Sequence, residues 1–243
     1  MNVLKKIMEK DIFGKLVVEE NAHLDLISTA GNINLYLKEN STVNFYILQN
    51  KNTEFVCNAH LEKNSRIIYV FGIFDGNKFQ INTCLNGQGS ESRKYGLFLG
   101  TKDKKFDITT NVTHAKKNTS SNILVKGVLF DNSLSKYKGK IKINESAKNT
   151  DSYLSNHNLL LSEGAEAFSV PSLEIDADDV RASHGATIGK PDEEQLFYLM
   201  TRGLNKKEAE KLIIKGFFSP VIEKLENDDL KTKFNQVLTA KIR

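Results

Sequence analysis

The first 170 residues alternate short apolar segments with short polar corners. Apolar residues recur at every second position in segments such as residues 33–37 and 43–47, the pattern of a half-buried strand. Asn, Ser and Gly are common in the corners, where they favour tight turns. The corners lie at residues 20–22, 39–41, 63–65, 87–89, 118–120, 146–148 and 163–165. This recurring unit predicts a stacked β-solenoid in preference to a sandwich of hairpins, because two-residue hairpin turns are scarce.

The pattern changes in residues 173–203. Leu173, Ile175 and Ala177 alternate with acidic residues, which predicts a half-buried strand whose carboxylates face away from the core. Small residues surround His184 and leave its imidazole room to reach a neighbouring surface. Apolar residues then take the spacing of one helix face, at Leu196, Phe197, Leu199 and Met200.

The residues after 204 have the pattern of amphipathic helices. Asn205 and Glu208 have the spacing of a capping box, so a helix is expected to begin there. Gly216, Ser219 and Pro220 predict a break or kink. The helical segment is expected to cover one open end of the solenoid, and a second subunit the other. Its apolar surface exceeds what a surface helix needs, which predicts a partner-docking site formed by Leu212, Ile213, Phe217, Phe218 and Val221.

Composition narrows the class of protein. The 243 residues are 40% hydrophobic and 26% charged, values typical of a soluble chain that buries a core. The formal net charge of +4 gives little reason to expect nucleic acid as a partner. No apolar run has the length of a bilayer crossing, and the first ten residues lack a signal-peptide core. We therefore expect a cytoplasmic protein that binds neither nucleic acid nor membrane.

Few residues are candidates for chemistry, and neither a P-loop nor a nucleophile elbow occurs. His184 near Asp176 and Asp178 is the best polar group, because a histidine beside carboxylates can bind a metal or carry a proton. A histidine in a turn more often bonds the backbone. Cys57 and Cys84 lack a zinc-binding spacing and lie in segments where cysteine commonly packs as a small hydrophobe. A reactive or cluster-handling thiol is the alternative interpretation.

The sequence around His184 carries a recognisable signature. LEIDADDVRASHGATIG, followed by DEEQLFYLMTRGL, closely resembles the C-terminal signature of the SufB/SufD family of iron–sulfur cluster assembly scaffolds. The resemblance extends through residues 114–121, 126–129 and 149–162, and covers about residues 82–225. The SHGAT form resembles that of SufD-type members.

The resemblance implies a mainly β fold, with a right-handed parallel β-helix over residues 1–185 and a C-terminal helical region over residues 186–243. Family members bind an ABC-type ATPase, SufC, through the helical region and pair with a second SufB or SufD subunit through the β-helix. The family histidine that matches His184 is implicated in cluster assembly at the subunit interface. The resemblance therefore implies a non-enzymatic scaffold that holds no cofactor stably and meets iron or a transient iron–sulfur cluster only in the complex.

Two departures from the family pattern keep other functions open. Ala182 stands where SufD-type members often carry a cysteine, and the chain is expected to lack the helical segment that precedes the β-helix in long members. A shortened paralogue that only regulates or couples the ATPase is the alternative. A third interpretation is a β-helix enzyme that acts on polysaccharide through Asp176, Asp178 and Asp179.

Overall fold

The computed structural model describes residues 5–9, 11–75 and 78–242, which form fifteen β-strands followed by three α-helices. The strands are β1 (Lys5–Glu9), β2 (Ile12–Val18), β3 (His23–Ser28), β4 (Gly31–Leu37), β5 (Thr42–Gln49), β6 (Phe55–Leu61), β7 (Arg66–Ile73), β8 (Lys78–Leu85), β9 (Glu91–Gly100), β10 (Lys105–His114), β11 (Ser120–Leu129), β12 (Leu134–Ile143), β13 (Asp151–Leu160), β14 (Glu166–Ile175) and β15 (Arg181–Gly189). The helices are α1 (Glu193–Thr201), α2 (Lys206–Ile222) and α3 (Asp228–Lys241). No helix in the described ranges is long and apolar enough to cross a membrane.

The strands form two parallel sheets. The odd-numbered strands make an eight-stranded sheet in the order β1-β3-β5-β7-β9-β11-β13-β15. The even-numbered strands make a seven-stranded sheet in the order β14-β12-β10-β8-β6-β4-β2. Consecutive strands therefore alternate between the sheets, and each pair of strands is one coil of the stack. The parallel β-helix predicted from the sequence is confirmed.

The polar corners fix where each coil turns. Positive φ angles between 54° and 59° occur at the predicted corner residues Asn21, Asn40, Asn64 and Asn118, a region that asparagine tolerates better than most residues. The next residue can close the turn. After Asn40, the buried Ser41 hydroxyl donates to the Lys38 carbonyl at 2.6 Å. Successive corners are also joined, since Asn64 Nδ2 donates to Asn40 Oδ1 at 3.2 Å.

The main core lies between the two sheets. Strand residues in register stack on one another, so that Ile33, Cys57 and Ile81 on β4, β6 and β8 form one fully buried row. Aromatic rings pack in the same core, where Phe71 and Phe79 approach to 4.7 Å between ring centroids. Because apolar side chains stack along the whole coil axis, burial of this surface is the main force that favours the stack.

Helices α2 and α3 lie on the outer face of the eight-stranded sheet. Phe218 and Phe234 pack there with Val70, Leu97 and Val128 in a second hydrophobic core. The prediction that the helical segment covers an open end of the solenoid is therefore wrong. The helices cover a face because the outward side chains of the middle strands are apolar and need burial.

Helix α2 is continuous where the sequence predicted a break. Its N-terminus has the predicted capping box between Asn205 and Glu208. Pro220 lies inside the helix and cannot donate to the carbonyl of Gly216, four residues earlier. The Ser219 hydroxyl donates to that carbonyl at 2.9 Å instead. The side chain before the proline thus replaces the missing backbone bond, so of the break or kink predicted here the break does not occur.

The β-helix extends past residue 185. Strand β15 remains paired with β13 as far as Gly189, which lies opposite Leu159, and α1 begins at Glu193. The boundary placed at residue 185 from the sequence thus falls within β15. His184 and the last pairing of the stack thus lie on the same strand.

Candidate functional site

His184 lies on β15, the edge strand of the eight-stranded sheet. Its partner on β13 is Leu154, whose side chain is fully buried. His184 therefore belongs to the row of positions that faces inward in the preceding coil. No described strand stacks on β15 from the other side, so the imidazole is exposed.

The last coil leaves other apolar side chains uncovered. Ile175 on β14 follows the fully buried Ile143 of β12 in register, yet it is 43% exposed. Ile175 points toward the core side as predicted, but it is not buried, because no described strand covers β14. Large exposed side chains of the last two coils are Tyr153, Phe168, Val170, Ile175 and Ile188.

The acidic residues predicted near the histidine do not form a metal-binding cluster. Glu174 faces away from the core and pairs with Lys140 and Lys142, and hydrogen bonds from these two amines lower the pKa of Glu174 to about 2. Asp176 and Asp178 are exposed in the loop between β14 and β15. Across the described residues, no three His, Cys, Asp or Glu side chains are placed to hold a metal ion together.

The two cysteines occupy different environments on the seven-stranded sheet. Cys57 on β6 is fully buried in the core, and this burial raises the pKa of its thiol to about 12. It packs as the small hydrophobe predicted from the sequence. Cys84 on β8 is half-buried, and burial also raises the pKa of its thiol. Neither thiol lies on the coil that carries His184, which belongs to the other sheet.

The helical residues predicted to dock a partner differ in accessibility. Phe218 and Val221 are fully buried against the eight-stranded sheet, and Phe217 is partly buried. Leu212 is 49% exposed, and Ile213 is partly exposed. A partner that approaches this face can therefore reach Leu212 and Ile213, whereas Phe218 and Val221 already belong to the second core.

Helix α1 adds an apolar surface that the sequence pattern did not single out for docking. Phe197 is 70% exposed, Tyr198 56% and Met200 43%, and no residue of this helix is buried. The helix is well formed, because Asp192 caps it by accepting from two backbone amides. Helical spacing revealed the apolar face, but it does not distinguish a face that meets the core from one left open. We refer to Phe197, Tyr198, Met200 and Leu212 as the α1–α2 surface.

The interior also holds polar groups that the sequence pattern did not reveal. Lys94 on β9 is fully buried, with Nζ 3.4 Å from Ser92 Oγ and 3.3 Å from the Asn111 carbonyl. Burial lowers the pKa of Lys94 to about 7. His114 on β10 is buried against the Thr119 hydroxyl, and burial with the nearby Lys94 charge lowers its pKa to about 3. Both side chains are buried inside the coils.

The match to known proteins covers most of the chain. The family model described as SUF system FeS cluster assembly, SufBD core domain, matches residues 9–217. The chain belongs to the SufBD core domain family. His184 lies within the matched residues, and the family predicted from the signature around it is confirmed.

Individual SufBD relatives agree with this family. The chain is 39% identical over 150 residues to the iron-sulfur cluster assembly protein SufD of Escherichia coli strain K12, a match that covers 62% of the chain and 36% of that protein. It is 34% identical over 183 residues to the protein of the same name from Bacillus subtilis strain 168, covering 74% and 42%. A SufBD family protein of Mycobacterium leprae is 35% identical over 152 residues, covering 59% and 39%. The chain thus spans between 36% and 42% of these relatives.

Proposed function

We propose that this SufBD chain is a SufD-type, non-enzymatic scaffold subunit of a cytoplasmic complex that assembles iron–sulfur clusters. The observation that carries the proposal is the exposed His184 on the uncovered last strand of the β-helix. The names of the E. coli and B. subtilis relatives support the same role.

A second SufB- or SufD-type subunit pairs with the last coil. Strands β14 and β15 end their sheets, and an unpaired sheet edge presents backbone groups that a strand of another chain can bond. Exposed Ile188 and Phe168 supply apolar surface beside that edge. The interface so formed encloses His184, where iron or a nascent cluster is handled as cargo. Because Ala182 brings no thiol there, the soft sulfur ligands of a cluster come from the second subunit.

The α1–α2 surface docks an ABC-type ATPase of the SufC kind. Its four exposed apolar side chains lie on two helices that pack beside each other, and α2 continues into the core on the eight-stranded sheet. Closure of two ATPase subunits on ATP binding pulls on α2, which shifts the population between two arrangements of the β-helix interface. The rigid packing of Phe218 on the sheet transmits that movement.

The first experiment tests the role of His184. The chain is combined with the ATPase and the SufB-type subunit of the same organism, and cluster formation is followed by visible absorbance with an iron and sulfide source. His184→Ala leaves complex mass and ATPase rate unchanged and lowers cluster yield. A yield equal to that of the wild type removes His184 from the proposed mechanism.

A second experiment tests the docking surface with point variants. Removal of residues 205–243 is unsuitable, because it would strip α2 and α3 from the apolar face that they cover. Phe197→Asp places a charge in the docking surface and weakens ATPase binding. Phe13→Asp on β2 is the matched control, since Phe13 is also 70% exposed but lies at the opposite end of the stack. Equal loss of binding in both variants would contradict docking at α1.

The alternative is a shortened paralogue that regulates or couples the ATPase without a direct cluster role. The specific observation in its favour is that Cys57 and Cys84 both lie away from the coil of His184. This alternative predicts ATPase binding that Phe197→Asp abolishes, together with a cluster yield that His184→Ala leaves unchanged. Because both proposals predict the same loss of ATPase binding in Phe197→Asp, the cluster yield of His184→Ala separates them.

A further inference from the structure

An open groove runs across the outward face of the seven-stranded sheet, whereas His184 lies on the eight-stranded sheet. Its volume is about 470 Å³. A ladder of amides crosses it, formed by Asn34, Asn58, Asn82 and Asn111, which are register partners on successive strands. Each amide donates to the preceding one, at distances from 2.8 to 3.1 Å. The ladder holds the groove floor in a fixed position.

Three donor groups meet at one side of this groove. His60 and Cys84 are direct register partners on β6 and β8, so their side chains project from the same face of neighbouring strands. The Cys84 thiol donates to Asn86 Oδ1 at 2.8 Å, and Asn86 Nδ2 lies 3.4 Å from His60 Nδ1. One amide thus touches both the thiol and the imidazole. The His60 ring is held by stacking on Tyr36, with 5.0 Å between centroids.

A thiol and an imidazole together select a particular class of ligand. Thiolate sulfur and imidazole nitrogen are preferred by borderline and soft transition-metal ions such as Zn²⁺, and the Asn86 amide between them orients both ligands. A thiol binds a metal ion as the thiolate, so a metal ion that binds Cys84 displaces a proton. The open side of the groove leaves a position for water or a further ligand.

The charges around the groove permit a cation. Lys140 and Lys142 line its other side, and both pair with Glu174, which offsets part of their positive charge. Cys84 on β8 and Lys142 on β12 are both in register with Thr113 of the strand between them, β10. Their backbones are therefore roughly 10 Å apart at the usual strand spacing. That separation is about one Debye length at physiological ionic strength, so salt weakens the repulsion between the ammonium and a bound cation.

We propose that Cys84, His60 and Asn86 form a binding site for one thiophilic divalent metal ion. The geometry that carries the proposal is the shared contact of Asn86 with the thiol and the imidazole at the edge of an open groove. The site is independent of the proposed scaffold role, because it lies on the other sheet from His184.

The test is a titration of the purified full chain with Cd²⁺ in a non-thiol reductant, followed by the thiolate-to-cadmium absorption band. The band saturates at one Cd²⁺ per chain and disappears when Zn²⁺ is added in excess. Cys84→Ser abolishes it, and His60→Gln or Asn86→Ala weakens binding by about tenfold or more.

Two controls make the result specific. Cys57→Ala removes the buried thiol, and His157→Gln removes an imidazole on the eight-stranded sheet, and both variants keep the band and its midpoint. Circular dichroism on each sample verifies that the variant is folded. The proposal is overturned if the wild type shows no band, if Cys84→Ser keeps it, or if His60→Gln binds as tightly as the wild type.

Discussion

The buried amine of Lys94 makes the stability of this β-helix depend on pH above neutrality. Lys94 is closed inside the coils, where it meets a hydroxyl, a carbonyl and the face of Tyr69, 5.6 Å from its ring centroid. No carboxylate in the described part of the chain pairs with it. The perturbation we choose is Lys94→Met, which keeps an unbranched side chain and removes the charge.

The magnitude follows from linkage between protonation and folding. Burial lowers the pKa of Lys94 from 10.5 to about 7 in the folded protein. Between these two values the unfolded chain binds the proton and the folded chain does not, so stability increases as pH rises through this window. Integrated from pH 7 to pH 9, the gain is about 2 kcal/mol. Below pH 7 both states are protonated and the buried charge destabilises the fold fully.

Other groups that face Lys94 do not titrate in this window. Burial holds the pKa of Cys57 at about 12, and burial with the Lys94 charge holds the pKa of His114 at about 3. Burial also raises the pKa of Tyr69 well above its usual value. The difference between wild type and Lys94→Met therefore isolates the amine.

The assay is urea unfolding of both proteins at pH 7, 8 and 9, with the free energy of unfolding extrapolated to water. The free energy of the wild type rises by about 2 kcal/mol more than that of Lys94→Met over this range. Parallel pH profiles would refute the reasoning. They would mean that the Ser92 hydroxyl, the Asn111 carbonyl and the Tyr69 ring keep the amine charged in the folded state.

Two further predictions concern α2. Phe218→Ala lowers the free energy of unfolding by about 3–5 kcal/mol because it leaves a cavity in the second core. Leu212→Ala, at an exposed position, changes it by less than about 0.5 kcal/mol. Equal shifts of the two variants in chemical denaturation would contradict the assignment of Phe218 to that core. Ser219→Ala lowers the free energy of unfolding by about 1 kcal/mol, because it removes the hydrogen bond from the Ser219 hydroxyl to the Gly216 carbonyl. The loss is smaller in a Pro220→Ala background, where the backbone amide of residue 220 can donate to the same carbonyl. A double-mutant cycle by thermal denaturation measures the difference, and additive effects would show that the hydroxyl has no such role.

The parts of the fold that depend on local order were predictable. Asn40 and Asn64 mark corners because short polar side chains accept left-handed backbone, whatever the rest of the chain does. The capping box at Asn205 is likewise a contact between residues three apart. Pro220 shows the limit of such reasoning, since one neighbouring hydroxyl was enough to keep the helix continuous.

The site was only partly predictable for a related reason. The signature around His184 identified the family, but the turn expected at His184 is strand β15. Period-two alternation gives the direction of a side chain and not what covers it. Ile175 points along an inward row and is still exposed, because its coil is the last described. Phe218 and Phe197 are both apolar helix residues, yet one is buried and the other open.

The sequence by itself determined the repeating strand-and-corner unit, the start of α2 at its cap Asn205 and the family. Only the tertiary structure decided which face of the solenoid the helices cover. It also decided that Lys94 is buried with no carboxylate of the described residues paired to it, and that the Asn86 amide contacts both Cys84 and His60. The reason is physical. Turns and caps are set by contacts a few residues apart, whereas burial and the meeting of side chains depend on register between strands more than twenty residues apart in the chain.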